Sequence, residues 1–306
     1  MNFIQGALTW ANALSVEHTL ILIFGIFIFC EWLAGRLAKL SLHNLNDSLR
    51  NMAIGAISFT CDFLFTILTL PLWMYMFHHI RFFEFDQGSV WMFVVLFVLL
   101  DFSEYWFHRL SHEINLLWQA HVVHHQSRFF NLTVGLRTSL FVPLFSIFFY
   151  SLFPLLGFDP EKVMLVILLQ GVYQLLIHTK LVGKLGLLEY MIVTPSAHRV
   201  HHGKNEIYID KNYGKFLILW DRLFGTYQAE TEPVEFGITR PLEKEDVMHA
   251  VFSPFKNLFI AFRRAQSKAI RKTLLFGNPA VAGKLQEKVM KKQYVYLGRR
   301  IFGRLF

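Results

Sequence analysis

Long apolar runs separated by short polar segments dominate the chain. Several of them reach or approach the roughly 20 residues that a helix needs to cross a bilayer. The predicted membrane helices cover about 18–37, 51–77, 90–107, 139–157 and 163–179. Pro71 interrupts the second run, and only the turn at 157–160 separates the last two, which predicts a helical hairpin. The pattern predicts an all-α, multi-pass membrane helical bundle of about four to five membrane helices.

Composition supports a membrane protein. Hydrophobic residues make up 54% of the chain and charged residues only 17%, whereas soluble domains carry about 25% charged residues. The two cysteines, Cys30 and Cys61, both lie inside apolar runs and predict no disulfide framework.

The positions of Lys and Arg predict an orientation, because cytoplasmic loops of membrane proteins are rich in these residues. Most basic residues near the predicted membrane follow the first and third runs: Arg36, Lys39, Arg50, Arg109, Arg128 and Arg137. The segment after the second run holds only Arg81, beside Glu84 and Asp86. We expect an external N-terminus, with His108–Arg137 and 180–306 on the cytoplasmic side. The membrane would be a bacterial inner membrane, or the endoplasmic reticulum in a eukaryote.

The net charge of +8 is concentrated at the C-terminal end. Residues 263–306 contain 12 Lys and Arg against one acid, Glu287, a net +11 that leaves −3 for the rest of the chain. This basic tail either lies on anionic lipid or is a solvated basic helix. No nucleic-acid reader motif is present, so we expect no nucleic-acid partner. Without repeats or linkers, the sequence predicts a single domain over 1–306, with a core at 90–240 and a basic cytoplasmic tail at 250–306.

Nine of the 14 histidines form a pattern that packing does not explain. They read H-x3-H, H-x2-H-H, a single H and H-x2-H-H, and comprise His108, His112, His121, His124, His125, His178, His198, His201 and His202. On a helix each triplet covers an arc of about 100°, so we expect each cluster to aim its imidazoles at one point. Eight or nine imidazoles exceed the about four ligands of one zinc ion, and predict two metal ions held in a cytoplasmic helical cap.

The remaining histidines are interpreted as ordinary surface or core residues: His18, His43, His78, His79 and His249. Adjacent buried imidazoles without a metal would be poorly satisfied, which favours ligation for the clustered ones. His178 follows Leu175-Leu176-Ile177, at the end of a predicted membrane helix, and we expect it to be a ligand as well.

Two acidic residues precede the first histidine cluster. Asp101 and Glu104 lie seven and four residues before His108, and so share its helix face. Carboxylates commonly orient the imidazoles that bind a metal, and charges beside a membrane span are costly unless paired. Both are therefore interpreted either as partners of the ligating imidazoles or as interfacial polar residues.

The histidine motifs and their flanks resemble the fatty acid hydroxylase/sterol desaturase superfamily over about 90–240. The resemblance rests on residues 106–112, 121–125 and 196–203, and on Asn212-Tyr213-Gly214 and 219–226. Within the superfamily, the segments 127–132, 177–179, 199–205 and 208–213 are similar to the alkylglycerol-oxidising branch. The chain is shorter than the animal ether-lipid enzymes, which suggests a bacterial member.

The resemblance implies a diiron site with all nine histidines as ligands. It implies O2-dependent hydroxylation of a lipid C–H bond, on the carbon beside the ether oxygen in alkylglycerols, with tetrahydrobiopterin as reductant. Some hydroxylases of the superfamily carry a further histidine at the position of Gln174. The reductant is external, a tetrahydropterin or a ferredoxin- or cytochrome-type donor, because the chain has no nucleotide-binding motif.

Other readings stay open. Imidazole serves iron, zinc and copper, so zinc is a possible substitute for iron. The same site would serve a sterol or acyl-chain desaturase. A zinc-dependent hydrolase or a metal-binding membrane protein without turnover is the alternative from a different class. The lipid, the attacked carbon and the oligomeric state are not predicted.

Overall fold

The computed structural model describes residues 22–240 and 242–302, with side chains described as far as 291. Within these residues the chain is helical and forms no strand, which confirms the predicted all-α class. Two isolated antiparallel bridges, Ile192 with Leu217 and Gly203 with Phe236, link loops around the C-terminal half of the domain.

Thirteen α-helices and one 3₁₀ helix follow one another in the described residues. They are α1 (22–37), α2 (Leu45–His79), α3 (Val90–Glu113), α4 (Asn115–His125), α5 (Leu132–Gly135), α6 (Val142–Tyr150), α7 (Leu152–Leu156), α8 (Pro160–Leu176), the 3₁₀ helix (Gly186–Tyr190), α9 (Pro195–His201), α10 (Leu219–Leu223), α11 (Val247–Arg264), α12 (Lys268–Phe276) and α13 (Pro279–Phe302).

Each predicted membrane segment is helical over most of its described length. Among the described residues, two helices are long and apolar enough to cross a membrane, α2 and α3. The apolar stretch Val142–Leu156 is shorter, and α8 has 17 residues. Residues 18–21 of the first predicted span lie outside the described part of the chain.

The second predicted span is not interrupted. Helix α2 runs for 35 residues and contains Pro71 in its interior, so the prediction of a break there was wrong. A proline removes one helical hydrogen bond, and membrane helices tolerate that loss better than soluble ones. The fourth span divides instead at Ser151, whose Oγ accepts a hydrogen bond from Trp73 Nε1 at 2.9 Å.

The predicted hairpin between the last two spans is present. Gly157 ends α7 with a φ of 106°, a left-handed conformation that glycine adopts at little cost. Asp159 then caps α8 by accepting a hydrogen bond from the backbone N–H of Glu161 at 2.8 Å. As a result α8 turns back and packs against α7 and α3.

Two apolar cores hold α3 and α4, the helices that carry the first five clustered histidines. The bundle core lies between α2, α3, α7 and α8 and is formed by Trp73, Met76, Leu96, Leu100, Phe153, Phe158, Val163 and Val166. A second core holds α11, α12 and α13 together and includes Leu116 of α4. Helix α4 therefore lies between the bundle and a layer of three C-terminal helices.

A buried carboxylate fastens α1 to the rest of the domain. Glu31 is 3% exposed, and its Oε2 accepts hydrogen bonds from the backbone N–H of Leu132 at 2.8 Å and from His43 Nε2 at 3.1 Å. Its Oε1 accepts a hydrogen bond from Thr179 Oγ1 at 2.6 Å. Because Thr179 follows His178, Glu31 connects α1 to the backbone beside a candidate ligand.

We expect Glu31→Ala to lower the stability of the domain by about 2–4 kcal/mol, since it leaves buried donors without an acceptor. Thermal unfolding of the detergent-solubilised protein measures the loss. The control is Glu84→Ala, which removes a carboxylate whose side chain is 83% exposed. Equal unfolding temperatures for the two variants would contradict the anchoring role of Glu31.

Candidate metal centre

The nine clustered histidines converge from four elements of the chain. Helix α3 supplies His108 and His112, α4 supplies three, His178 follows the end of α8, and α9 with its C-cap supplies three. Their side chains form two groups in which all candidate ligand atoms lie within 4.8 Å of one another. The first group is His108, His112, His121, His125 and His201, and the second group is His124, His178, His198 and His202.

Each H-x2-H-H motif is divided between the two groups. His121 and His125 belong to the first group and His124 to the second. The expectation that each motif aims its imidazoles at one point was therefore wrong. Residues four apart on a helix differ by about 40°, whereas residues 124 and 125 differ by about 100°. The i,i+4 pairs consequently stay together, and the third histidine points to the neighbouring group.

The same division occurs in the last motif. His198 and His202 belong to the second group, while His201 belongs to the first. The two groups are adjacent, because the rings of His125 and His202 stack with centroids 4.5 Å apart. Helices α4 and α9 therefore each contribute to both groups.

Hydrogen bonds to backbone carbonyls fix the tautomers of several histidines. The Nδ1–H of His124 donates to the carbonyl of Arg137 at 2.9 Å, and that of His178 donates to the carbonyl of Gln174 at 2.6 Å. A carbonyl only accepts, so each Nδ1 carries the proton and each Nε2 presents a bare lone pair. These two Nε2 atoms face each other at 3.2 Å. Two lone pairs at that separation repel each other unless a cation lies between them.

The first group also contains an imidazole whose Nδ1–H is bonded to a carbonyl and whose Nε2 faces another imidazole. His108 Nδ1 donates to the carbonyl of Tyr213 at 2.8 Å, and its Nε2 lies 3.0 Å from His121 Nε2. The Nε2 atoms of His112 and His201 are buried and have no hydrogen-bond partner among the described residues. Unpartnered buried nitrogens are costly, and metal ligation would satisfy them.

The nitrogen separations match the size of a coordination shell. Two nitrogens each about 2.1 Å from one ion lie about 3.0 Å apart at a right angle and about 3.4 Å apart in a tetrahedron. The neighbouring Nε2 atoms of the second group are 2.9–3.2 Å apart. The residues present therefore fit a metal ion in each group. An all-imidazole donor set suits iron, zinc and copper alike.

Burial keeps the imidazoles in the neutral form that binds metals. It lowers the pKa of His124 to about 4. Burial, and then the neighbouring imidazoles, lower the pKa of His198, His201 and His202 well below the ordinary value. At neutral pH the ligands need not lose protons before a metal binds.

A loop after α9 supplies two of the carbonyls that orient histidines. His201 Nδ1 donates to the carbonyl of Lys211 at 3.0 Å, and His108 uses Tyr213. The residues before and after Lys211 both have positive φ, 59° for Asp210 and 55° for Asn212. These left-handed residues fold the loop so that the carbonyls of Lys211 and Tyr213 reach different imidazoles. Asp210 also places its Oδ1 3.6 Å from His112 Nδ1.

Asp221 fixes the loop in this conformation. Its carboxylate accepts hydrogen bonds from the backbone N–H groups of Tyr213 and Gly214, both at 2.7 Å, and from Thr226 Oγ1 at 2.7 Å. The approach is so close that a Cβ on Gly214 would lie 2.8 Å from Asp221 Oδ2. The motifs around 212–214 and 219–226 thus act together as one support behind His108.

The described contacts of the two carboxylates on α3 do not include a ligating imidazole. Asp101 is fully buried and accepts hydrogen bonds from the backbone N–H groups of Phe216 and Leu217 and from Trp220 Nε1. Asp101 therefore holds the segment just after Tyr213. Because the carbonyl of Tyr213 orients His108, Asp101 affects His108 only indirectly. Glu104 forms an ion pair with Lys215 Nζ at 2.9 Å.

Some of the supporting groups have no signal in the sequence. Backbone carbonyls such as those of Arg137 and Gln174 cannot be recognised from residue type. Arg137, which the distribution of charge predicts on the cytoplasmic side, is 3% exposed and lies inside the domain. Its guanidinium donates to the Val123 carbonyl at 2.7 Å and to Gln126 Oε1 at 2.6 Å, and so braces α4 from inside.

The histidines interpreted as ordinary occupy varied places. His43 pairs with Glu31, and His78 and His79 are exposed at the end of α2. His18 lies outside the described residues. His249 lines a cavity of about 700 Å³ that also reaches four candidate ligands, namely His112, His125, His201 and His202. This cavity lies against α11 and α13 and gives access to both groups.

Comparison with known proteins agrees with the architecture of the site. Residues 93–226 match the fatty acid hydroxylase family. All nine clustered histidines fall within that range. The chain therefore carries a fatty acid hydroxylase domain, and the predicted resemblance to this superfamily is confirmed.

Three relatives illustrate the range of the superfamily. Alkylglycerol monooxygenase of Homo sapiens is 38% identical over 219 residues, covering 71% of this chain and 49% of that protein. An ornithine lipid hydroxylase of Rhizobium tropici is 32% identical over 164 residues, covering 52% and 49%. A Delta(7)-sterol 5(6)-desaturase of Schizosaccharomyces pombe is 29% identical over 154 residues, covering 45% and 44%. The chain spans about half the length of the curated relatives it matches. No solved structure matches it.

Removing the support behind His108 should weaken the centre. We expect Asp221→Asn to lower stability by about 2–4 kcal/mol, because its amide cannot accept all three hydrogen bonds. The metal content per protein should fall with it. Thermal unfolding and metal analysis measure the two effects, with the exposed Glu206→Ala as control. Wild-type values for both quantities would contradict the role of Asp221.

The metal-free protein should lose stability as the pH falls. Because burial lowers the pKa of His124 from 6.5 to about 4, the unfolded state binds protons more readily than the folded state. The histidine contribution is complete above pH 6.5 and is lost progressively as the pH falls towards about 4. Thermal unfolding at about pH 7.5 and about pH 5 measures this difference. Equal or higher stability at the lower pH would contradict it.

Proposed function

We propose that this protein is an O2-dependent, membrane-bound lipid monooxygenase that holds two iron ions in the first and second groups. One observation carries the proposal: nine imidazoles, six of them buried and three half-buried, form two adjacent groups with their lone pairs converging. Two adjacent redox ions can together supply electrons for the cleavage of O2 in C–H oxidation, whereas a structural zinc site is complete with about four ligands. The match to the fatty acid hydroxylase family supports the same reaction class.

The proposed reaction inserts one oxygen atom of O2 into a lipid C–H bond. The other oxygen atom is reduced to water by two electrons and two protons from an external reductant. Bound iron would supply the activation of O2 that this reaction needs. The most specific substrate that we propose is an alkylglycerol-type lipid, attacked at the carbon beside the ether oxygen, because alkylglycerol monooxygenases cover most of the domain at 36–39% identity.

The residues of the chain have three tasks in this reaction. The histidines hold the irons, and the backbone carbonyls fix the direction in which each imidazole points. The apolar surroundings limit water at the site and keep the imidazoles neutral. Phe130 illustrates this: its ring stacks on that of His178 with centroids 5.5 Å apart and is 1% exposed.

We also propose a multi-pass position in the membrane, with the centre at its cytoplasmic face. Helices α2 and α3 supply two candidate spans, and α3 leads directly into the first group. The basic tail would lie on the same side as the centre. The 700 Å³ cavity beside α11 and α13 is the proposed entry for a tetrahydropterin, and its mouth is the proposed docking face for a ferredoxin- or cytochrome-type protein if that is the reductant. The whole of 1–306 would act as one domain.

The test uses membranes from cells that express the protein, supplied with heavy dioxygen (18O2), and analyses lipids by mass spectrometry. We expect a lipid product, or an aldehyde derived from one, that carries a single heavy oxygen atom. His124→Ala and His201→Ala each remove one ligand from a different group, and both should abolish the product and lower bound iron. His78→Ala changes an exposed histidine outside the groups and should leave both unchanged.

Other outcomes would replace the proposal. A product two hydrogens lighter and without label would indicate a desaturase, which the sterol desaturase relatives make the second candidate. Full activity in either ligand variant would contradict the assignment of the two groups. An active protein that contains only zinc and needs no O2 would indicate a hydrolase.

A further inference from the structure

A charged cluster lies one helical turn before His108 and does not hold any histidine. Glu104 is 5% exposed and belongs to α3, a candidate membrane helix. Its Oε1 accepts a hydrogen bond from the hydroxyl of Tyr150 on α6 and forms an ion pair with Lys215 Nζ at 2.9 Å. Ionisable groups inside a membrane span are costly, and they commonly mark a functional site.

The cluster has unused hydrogen-bonding capacity. Glu104 Oε2 accepts none of the hydrogen bonds found among the described residues, and Lys215 Nζ has one partner there for its three protons. The Lys215 side chain is 18% exposed, compared with 7% for Glu104. The cluster therefore borders accessible space and can bind a further polar group.

Aromatic rings flank the cluster on both sides. Phe216, next to Lys215, packs against Phe97 and Tyr173 with centroids 5.1 and 4.6 Å away. Phe149, next to Tyr150, packs against Phe107 at 5.2 Å. The polar cluster thus lies in apolar surroundings suited to a lipid chain. Glu104 is about 6 Å along α3 from His108, so a lipid atom bound there has neighbouring carbons within reach of the centre.

The charges of the cluster discriminate between lipids. Glu104 and Lys215 neutralise each other, so the pair carries no net charge. An anionic head group would approach Lys215 only against the repulsion of Glu104. A neutral hydroxyl meets no such repulsion, because it can donate to Glu104 Oε2 and accept from Lys215 Nζ.

We propose that Glu104, Tyr150 and Lys215 form a polar subsite that binds a hydroxyl group of a neutral lipid and rejects anionic lipids. By holding that hydroxyl, the subsite sets which carbon reaches the metal centre. Tyr150 acts by positioning the carboxylate of Glu104. This inference deepens the proposed function and rests on it.

The experiment measures equilibrium binding to the iron-loaded protein in nanodiscs, without O2, so that binding is separated from turnover. The probes are radiolabelled hexadecylglycerol, which is neutral, and hexadecylglycerol phosphate, which has the same chain and an anionic head. The variants are Glu104→Gln, Lys215→Met and Tyr150→Phe. The control is Tyr75→Phe, a tyrosine on α2 that is 57% exposed.

We expect wild type to prefer the neutral probe by about tenfold. Glu104→Gln should lower the affinity for the neutral probe and raise the affinity for the phosphate probe, because Lys215 is left as an unpaired cation. Lys215→Met should lower the affinity for both probes. Tyr150→Phe should lower the affinity for the neutral probe by about threefold to tenfold. Tyr75→Phe should leave the affinity for both probes unchanged. A reversal of preference in Glu104→Gln cannot arise from a general loss of structure.

Two results would overturn the subsite. One is a wild type that shows no preference or binds neither probe. The other is a Glu104→Gln variant that loses affinity for both probes equally while Tyr150→Phe loses none. In either case a labelled product from another lipid in the 18O2 experiment would leave the proposed function standing.

Discussion

The candidate centre depends on hydrogen bonds from imidazole Nδ1–H groups to backbone carbonyls. Each bond decides which nitrogen carries the proton, and so turns a histidine that could donate or accept into a fixed lone-pair donor. Four histidines are held in this way, by the carbonyls of Tyr213, Arg137, Gln174 and Lys211. Because those carbonyls belong to three separate segments, the loop after α9, the segment around Arg137 and the end of α8 must all be in place before the lone pairs converge.

The buried polar residues outside the groups serve this requirement. Asp101 and Asp221 fix the segment that carries the Tyr213 carbonyl, and Arg137 holds its own backbone against α4. Glu31 fastens the chain beside His178. None of them is an expected ligand, but each holds a backbone element that contacts one. Buried charges of this kind cost free energy individually, and the cost is offset by fully paired networks.

The sequence predicted which histidines come together better than it predicted how they are arranged. The helical class and the nine converging histidines followed from periodicity and residue spacing, because helix geometry relates i and i+4 positions directly. The division of each triplet between two groups did not, since an arc of about 100° is compatible with one target or two. The carbonyl acceptors could not be predicted either, because every residue has one. For Asp101, position on the correct face did not reveal that its partners lie on a loop more than 100 residues later.

The division of the α4 and α9 histidines between the two groups has a mechanical consequence. Each helix carries candidate ligands of both groups at fixed angles, so a rotation that improves one proposed coordination shell shifts the other. If one proposed ion leaves, the histidines of its group cannot relax fully without moving those of the other group. The two positions should therefore fill and empty as a linked pair, and the domain should resist partly loaded states.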